Sequence, residues 1–181
     1  MFHTLRKVLA VIVLLVAGLA GYGLSQWPGL VDRLTQWFQD AHVQMAKDEE
    51  TKVRFTLDGR ISKVWSGNTF TFATDQGASM VRLAGVASPS PLSSAPTHSS
   101  DPQTQASHDF LQQHAEGRWV TLRALSLDTN RWIIALADIG ATNLNALVLQ
   151  HGHGRLAVEE IELLPVRYRY QLRQAAQAPP P

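Results

Sequence analysis

The chain contains no cysteine. Disulfides and thiolate metal sites are therefore excluded, and the redox compartment stays open. Excess charge is also missing: 16 Lys and Arg against 15 Asp and Glu leave a formal net charge of +1 over 181 residues. From Thr51 onward twelve basic and ten acidic side chains leave only +2. Proteins that hold nucleic acid by counterion release need several clustered cations facing phosphates, and bulk charge does not supply them here. The length admits one domain plus an anchor and excludes two full domains.

One long uncharged run is present, the 17 residues VLAVIVLLVAGLAGYGL from Val8 to Leu24. It lies at the short edge of the about 17–25 residues a helix needs to cross a bilayer, and Trp27 follows as an interfacial aromatic. Arg6 and Lys7 precede the run, whereas the first charges after it are the balanced pair Asp32 and Arg33. The positive-inside bias puts the amino terminus in the cytoplasm and the body of the protein on the far side. Residues 1–29 are thus expected to be a single-pass membrane anchor. The competing reading is a signal peptide cleaved near Gly18-Leu19-Ala20, which secretes the domain. Both readings take the domain out of the cytoplasm.

Between Leu30 and Ala46 the residues Leu30, Leu34, Trp37, Phe38, Ala41 and Met45 recur at spacings of three and four. This stripe predicts an amphipathic helix, followed by a linker, over 30–52. It suits packing on the domain or self-association. A membrane-surface helix fits less well, because the polar face carries Asp32, Asp40 and Gln without a Lys or Arg excess.

After the charged run 47–52 the period becomes alternating. Strands are expected at 53–57, 60–65, 69–74 and 79–86, with turns at Asp58-Gly59, Ser66-Gly67-Asn68 and Asp75-Gln76-Gly77. Residues 88–102 are nearly all Ser, Pro, Thr and Ala, a flexible loop. A helix through Ala106, Phe110, Leu111 and His114 stops at Gly117. Strands resume at 119–125 and 131–139 around Asp128-Thr129-Asn130. A helix opens at Asn143-Leu144-Asn145, and another passes through Tyr168, Leu172 and Ala175 before a tail, 175–181, expected to be disordered. The expected fold class is α+β: the transmembrane helix, then a five-stranded OB-type Greek-key barrel with about three helices.

Several segments of 59–174 resemble, in order, motifs of the staphylococcal nuclease-like (thermonuclease) family. Ser66-Gly67-Asn68-Thr69 resembles its Asp-Gly-Asp-Thr, and Arg82-Leu83-Ala84-Gly85-Val86-Ala87-Ser88-Pro89-Ser90 its Arg-Leu-x-Gly-Ile-Asp-x-Pro-Glu. Ala106-x-x-x-Phe110-Leu111 resembles the helix after the active-site loop, and Gly117-Arg118-Trp119-Val120-Thr121-Leu122 the Gly-Lys-x-Val-x-Leu strand. Asp128-Thr129-Asn130-Arg131 is similar to a compressed Asp-x-x-Gly-Arg turn lacking its glycine. Asn145-Ala146-Leu147-Val148-Leu149 with Gly152 resembles the Asn-x-x-Leu-Val-x-x-Gly helix, and 170–175 the final helix. The resemblance implies a nuclease-like domain over 53–174.

In that family calcium, a carboxylate beside the attacking water and two arginines cleave phosphodiesters. The resemblance makes Arg82 and Arg131 the phosphate-site arginines. It also shows the three acids replaced, by Asn68, Ala87 and Ser90. Calcium draws its binding energy largely from carboxylate charge, so calcium binding is expected to be lost, and a serine does not accept a proton at neutral pH. Two arginine contacts supply about 3–6 kcal/mol together, against about 4 kcal/mol for millimolar affinity. The site alone is then a weak phosphate binder. On the competing reading both arginines pair structurally, with Asp128 or Asp138.

Other groups are weighed likewise. His98 and Asp101 stand in the loop beside the altered site as replacement ligands, if ordered. His151 and His153 flank Gly152 as a metal pair without an evident third ligand, which favours a surface turn. Trp65, Phe70, Phe72 and Trp132 alternate on strands as core, although an exposed aromatic on a barrel face stacks a base.

The expectation is a membrane-anchored, catalytically silent nuclease-like barrel. It binds an unknown protein partner, or nucleic acid weakly, without cofactor or metal. Its alternatives are a divalent-metal phosphodiesterase with unusual ligands and a structural subunit of a membrane complex.

Overall fold

The structure, a computed structural model, describes residues 28–89 and 101–179. The expected anchor from Val8 to Leu24 lies outside the described residues, as do Ser90 and His98. Among the described residues no helix is long and apolar enough to cross a membrane. The chain divides into two compact units, Met1–Ala46 and Lys47–Pro181.

Helix α1 (Pro28–Lys52) supplies the described part of the first unit. Leu34, Phe38, Ala41 and Met45 are half-buried along it, following the three-and-four spacing. Trp37 is 63% exposed and Val43 49% exposed, with Trp37 edge-on to Phe38 at 5.2 Å.

The second unit is built on a closed barrel. Strands β1 (Phe55–Ser66), β2 (Thr69–Thr74) and β3 (Gly77–Leu83) form an antiparallel meander. A two-residue strand, β4 (Val86–Ala87), follows. β5 (Trp119–Leu127) pairs antiparallel with β1, and β6 (Ile133–Ile139) pairs antiparallel with β5. A parallel seam between β6 and β3, with Arg82 opposite Ile134, closes the ring. The order β3-β2-β1-β5-β6 is consistent with an OB-type barrel. Alternation sends Ile61, Val64, Phe70, Phe72, Val81, Leu83, Val120, Leu122 and Ala124 inward. Each large side chain fully buried this way contributes about 1.5–3 kcal/mol of transfer free energy.

Asp58-Gly59 is not a turn. β1 runs straight through it, because a Cβ on Gly59 would sit 2.5 Å from the Ala73 carbonyl oxygen and 2.6 Å from the Phe72 ring. Glycine is needed there so that the neighbouring strand and its aromatic can approach the backbone, a use that mimics a turn signal in sequence.

Helix α2 (Pro102–Ala115) starts at the N-cap Asp101, with Pro102 in its first turn, and buries Ser107, Phe110, Leu111 and Ala115. The pair β7 (Thr142–Asn143) leads into α3 (Leu144–Gln150), capped by the Asn143 side chain on the Ala146 N–H. Fully buried Asn145 bonds both strands of the parallel seam, donating to the Ala84 (2.8 Å) and Ala135 (3.2 Å) carbonyls and accepting from the Ala137 N–H (2.9 Å). β8 (Arg155–Leu156) pairs with β4, and the short α4 (Val158–Ile161) precedes α5 (Val166–Gln177). α5 extends through Gln177, so the first three residues assigned to the tail are helical.

The second unit begins at Lys47, not at Val53, because the end of α1 is tied to the barrel. Lys52 Nζ donates to the Leu164 carbonyl (2.9 Å), and Asp48 accepts the Val166 N–H (2.6 Å). Glu49 pairs with Arg123 (3.2 Å), which also pairs with Asp138. Burial beneath this network pushes the Tyr168 hydroxyl up to about 12.

Candidate functional site: the Asn68 and Arg82 cluster

The turn between β1 and β2 presents Asn68 inward, 7% exposed, beside fully buried Thr69. Its Oδ1 accepts from the Ser66 and Thr69 hydroxyls, both at 3.1 Å, and its Nδ2 donates to the Val86 carbonyl at 2.8 Å. The backbone carbonyl of Asn68 takes the Leu83 N–H at 2.8 Å. Asn68 therefore pins the 83–86 segment to the turn. The Val86 bond needs an amide N–H, which a carboxylate does not have.

Arg82 leaves β3 toward α4, where its Nη1 lies 2.6 Å from Glu160 Oε1; both side chains are roughly 70% covered, at 28% and 30% exposure. Glu160 Oε2 accepts the Gly85 N–H at 3.3 Å. Gly85 takes φ 72°, and a Cβ there would lie 2.9 Å from Leu172 and 3.0 Å from Leu164. Here glycine serves both the left-handed backbone and the close packing. The expected structural pairing of Arg82 thus has Glu160 as partner, not Asp128 or Asp138. Asp138 is taken up by Arg123. Asp128 Oδ1 accepts the Asn130 (2.8 Å) and Trp132 (2.9 Å) N–H groups and shapes its own turn.

Ala87 is exposed on β4, opposite Arg155. Arg131 is exposed in the turn before β6 and itself takes φ 64°, the left-handed conformation that the missing glycine of that turn would adopt without strain. It lies three positions before Ile134, the partner of Arg82, about 10 Å along the strand direction. Asn68, Arg82 and Ala87 are therefore gathered around the 82–87 segment, while Arg131 stands on a separate exposed turn.

Asp101 caps α2, accepting from the Gln103 (3.4 Å) and Thr104 (3.1 Å) N–H groups and from the Thr104 hydroxyl (2.6 Å). That hydroxyl above all holds its carboxyl below the usual range. Asp101 thus fixes the start of α2.

His151 and His153 do find a third imidazole. Phe110 is stacked between His114 (4.1 Å) and His153 (4.2 Å), with His151 tilted at 4.9 Å. His114 Nδ1 donates to the Phe110 carbonyl at 2.8 Å. Burial first, then the neighbouring His151 and His114, holds the His153 imidazole below its ordinary value. The His114 and His151 ring centres lie 6.3 Å apart. Among the described residues no group of three or more His, Cys, Asp or Glu is placed to hold a metal ion.

Calcium, which the family resemblance implies, does not suit these donors. Asn68 offers one amide oxygen already accepting two hydroxyls, Ala87 offers none, and Glu160 is paired with Arg82.

No protein-family model matches the chain, and no curated protein sequence matches it either.

Glu160 is the site residue that sequence reasoning missed. It lies 78 positions from Arg82, and no motif in the sequence points to it.

Proposed function

We propose that this chain is a nuclease-like barrel that has given up hydrolysis and serves as a binding module. The observation carrying the reading is the lock on the altered frame: Asn68 is committed to three side-chain hydrogen bonds inside the fold, and Arg82 to Glu160. Such an arrangement supports strand positioning, and among the described residues around 82–87 the one carboxylate at hand, Glu160, is already paired with Arg82. Single-stranded DNA incubated with the chain and calcium should remain intact. The triple variant Asn68→Asp, Ala87→Asp, Ser90→Glu is the matching gain-of-function trial. Calcium-dependent cleavage by the parent that disappears in Arg82→Ala would overturn the reading.

We further propose that residues 8–24 hold the barrel at the non-cytoplasmic face of a membrane, on the strength of the uncharged run and of Arg6 and Lys7 before it. Protection of a carboxy-terminal tag from protease added to intact cells, with digestion once the outer permeability barrier is opened, tests this orientation. Digestion only after lysis of the inner membrane would refute it.

A second reading, a structural subunit working through α1, is favoured by the exposure of Trp37 and Val43 on one helix. Crosslinking between copies that is lost in Trp37→Ala, Val43→Glu supports it, and unchanged crosslinking refutes it.

A further inference from the structure

The outer surface of the barrel carries a feature that the altered frame does not use. β1 contains two irregularities between Ile61 and Ser66, one between Ile61 and Lys63 and one between Val64 and Ser66. Bulges of this kind re-aim side chains; here Ser62 and Trp65 are left without a register partner on β2, and Lys63, which follows the first bulge, is exposed. The Lys63 ammonium lies 3.9 Å from the centre of the Trp65 ring, and the indole N–H donates to Thr71 Oγ1 at 2.7 Å. The bulge is held from outside the sheet: the Val64 N–H is taken by Glu116 Oε2 at 3.0 Å.

One end of the same face holds a second aromatic. Trp119 is 65% exposed and stands directly across from Arg60 in the β1–β5 register. Arg60, Lys63 and Arg118 are all exposed, and none has an ion pair among the described residues. Of the nearby acids, Asp58 accepts from the Thr121 hydroxyl (2.5 Å) and Glu116 from the Val64 N–H, and both keep their charge. By contrast Lys52, Arg82, Arg123, Arg167, Arg169 and Arg173 are all paired. Arg60, Lys63 and Arg118 thus stand near the two indoles without an ion pair among the described residues, as the exposed Arg54, Arg131 and Arg155 do elsewhere on the domain.

We propose that this outer face, with Trp65 and Trp119 as stacking platforms and Arg60, Lys63 and Arg118 as phosphate contacts, binds single-stranded nucleic acid. Trp65 lies five steps along the strand from Arg60, about 15 Å, a span of two or three nucleotides. Bases have flat faces of any sequence to lay on indole, and the cations between them meet the phosphates. Lys63 leaves the Trp65 face for a phosphate as a base takes its place, exchanging an exposed cation–π contact for stacking and an ion pair. A duplex offers no free base faces to such a surface.

The inference rests on the binding-module reading and names its partner. Its test is fluorescence anisotropy of a short labelled oligothymidylate titrated with the full-length chain. Trp119→Ala should weaken binding about tenfold. Arg60→Gln and Lys63→Gln should each lower the salt slope by about 0.7. Arg155→Gln, which removes the same charge on β8, should change neither. Trp119 is exposed, so its removal should leave the thermal unfolding curve in place, and Lys63→Glu provides a second variant that keeps the fold. No binding of oligothymidylate overturns the inference, as does equal weakening by Arg155→Gln. Neither result touches the hydrolysis assay on which the binding-module reading stands, so the two fail separately.

Discussion

Replacing Asn68 by aspartate changes only an NH2 group for an oxygen, yet it should be costly. Nδ2 of Asn68 lies 2.8 Å from the Val86 carbonyl oxygen. The substitution loses that hydrogen bond, worth about 1 kcal/mol net. It also sets a carboxylate oxygen against a carbonyl oxygen at a site only 7% exposed. Leaving the carbonyl unpaired adds about 1–3 kcal/mol. The two hydroxyls of Ser66 and Thr69 still donate, so they offset part of the charge burial. The sum is a loss of about 2–4 kcal/mol, or roughly 10 °C of melting temperature for a domain of this size. Burial and the facing carbonyl raise the folded-state pKa of the introduced carboxyl above its unfolded value near 3.9. The folded variant then holds its proton more tightly than the unfolded chain does, so the deficit is small in acid and grows as pH rises through the folded pKa. Thermal unfolding of parent and variant followed by circular dichroism from pH 4 to pH 8 reads both effects. A variant as stable as the parent at pH 7 would refute the lock at Asn68.

Three further outcomes follow from other contacts. A double-mutant cycle with Arg82→Leu and Glu160→Leu should give a coupling of about 1 kcal/mol for this partly exposed pair, and a coupling near zero in urea unfolding would show the pair to be incidental. Gly59→Ala should cost at least about 3 kcal/mol, because the clash at 2.5 Å is with backbone that is itself in a ladder; a loss under about 1 kcal/mol in the same assay would contradict the close approach. The lowered His153 imidazole means that the unfolded chain binds more protons between the folded value and about 6.5. Stability should therefore fall as pH drops through that window, and His153→Gln should flatten the slope; an unchanged slope would remove His153 as its cause.

Much of the barrel was legible because its inward residues alternate: Phe70, Phe72, Val81 and Leu83 announce β2 and β3, and Asn143 announces the start of α3. Asp58-Gly59 was misread because turn chemistry and close-packing chemistry use the same residue, and only the position of Phe72 tells them apart. Lys47 to Lys52 read as a charged linker, since nothing local reveals that Asp48, Glu49 and Lys52 have partners more than seventy positions away. The neutral side chains of Asn68, Ala87 and Ser90, where the family resemblance would place acids, were visible residue by residue. The partner of Arg82 was not, because Glu160 reaches it only through the packing of α4. The three histidines likewise needed Phe110 to bring them together, and Trp119 looked like any strand aromatic until its exposure was known.

The central claim is that the altered frame is closed to metal. Calcium titrated into the full-length chain, with melting temperature and heat of binding recorded together, tests it directly. A ligand that binds only the folded state raises stability as its concentration passes the dissociation constant. The account expects neither a shift nor a binding heat at any calcium concentration below the level where ionic strength alone acts. A saturable rise in melting temperature that is abolished by Asn68→Ala or Glu160→Gln would contradict it.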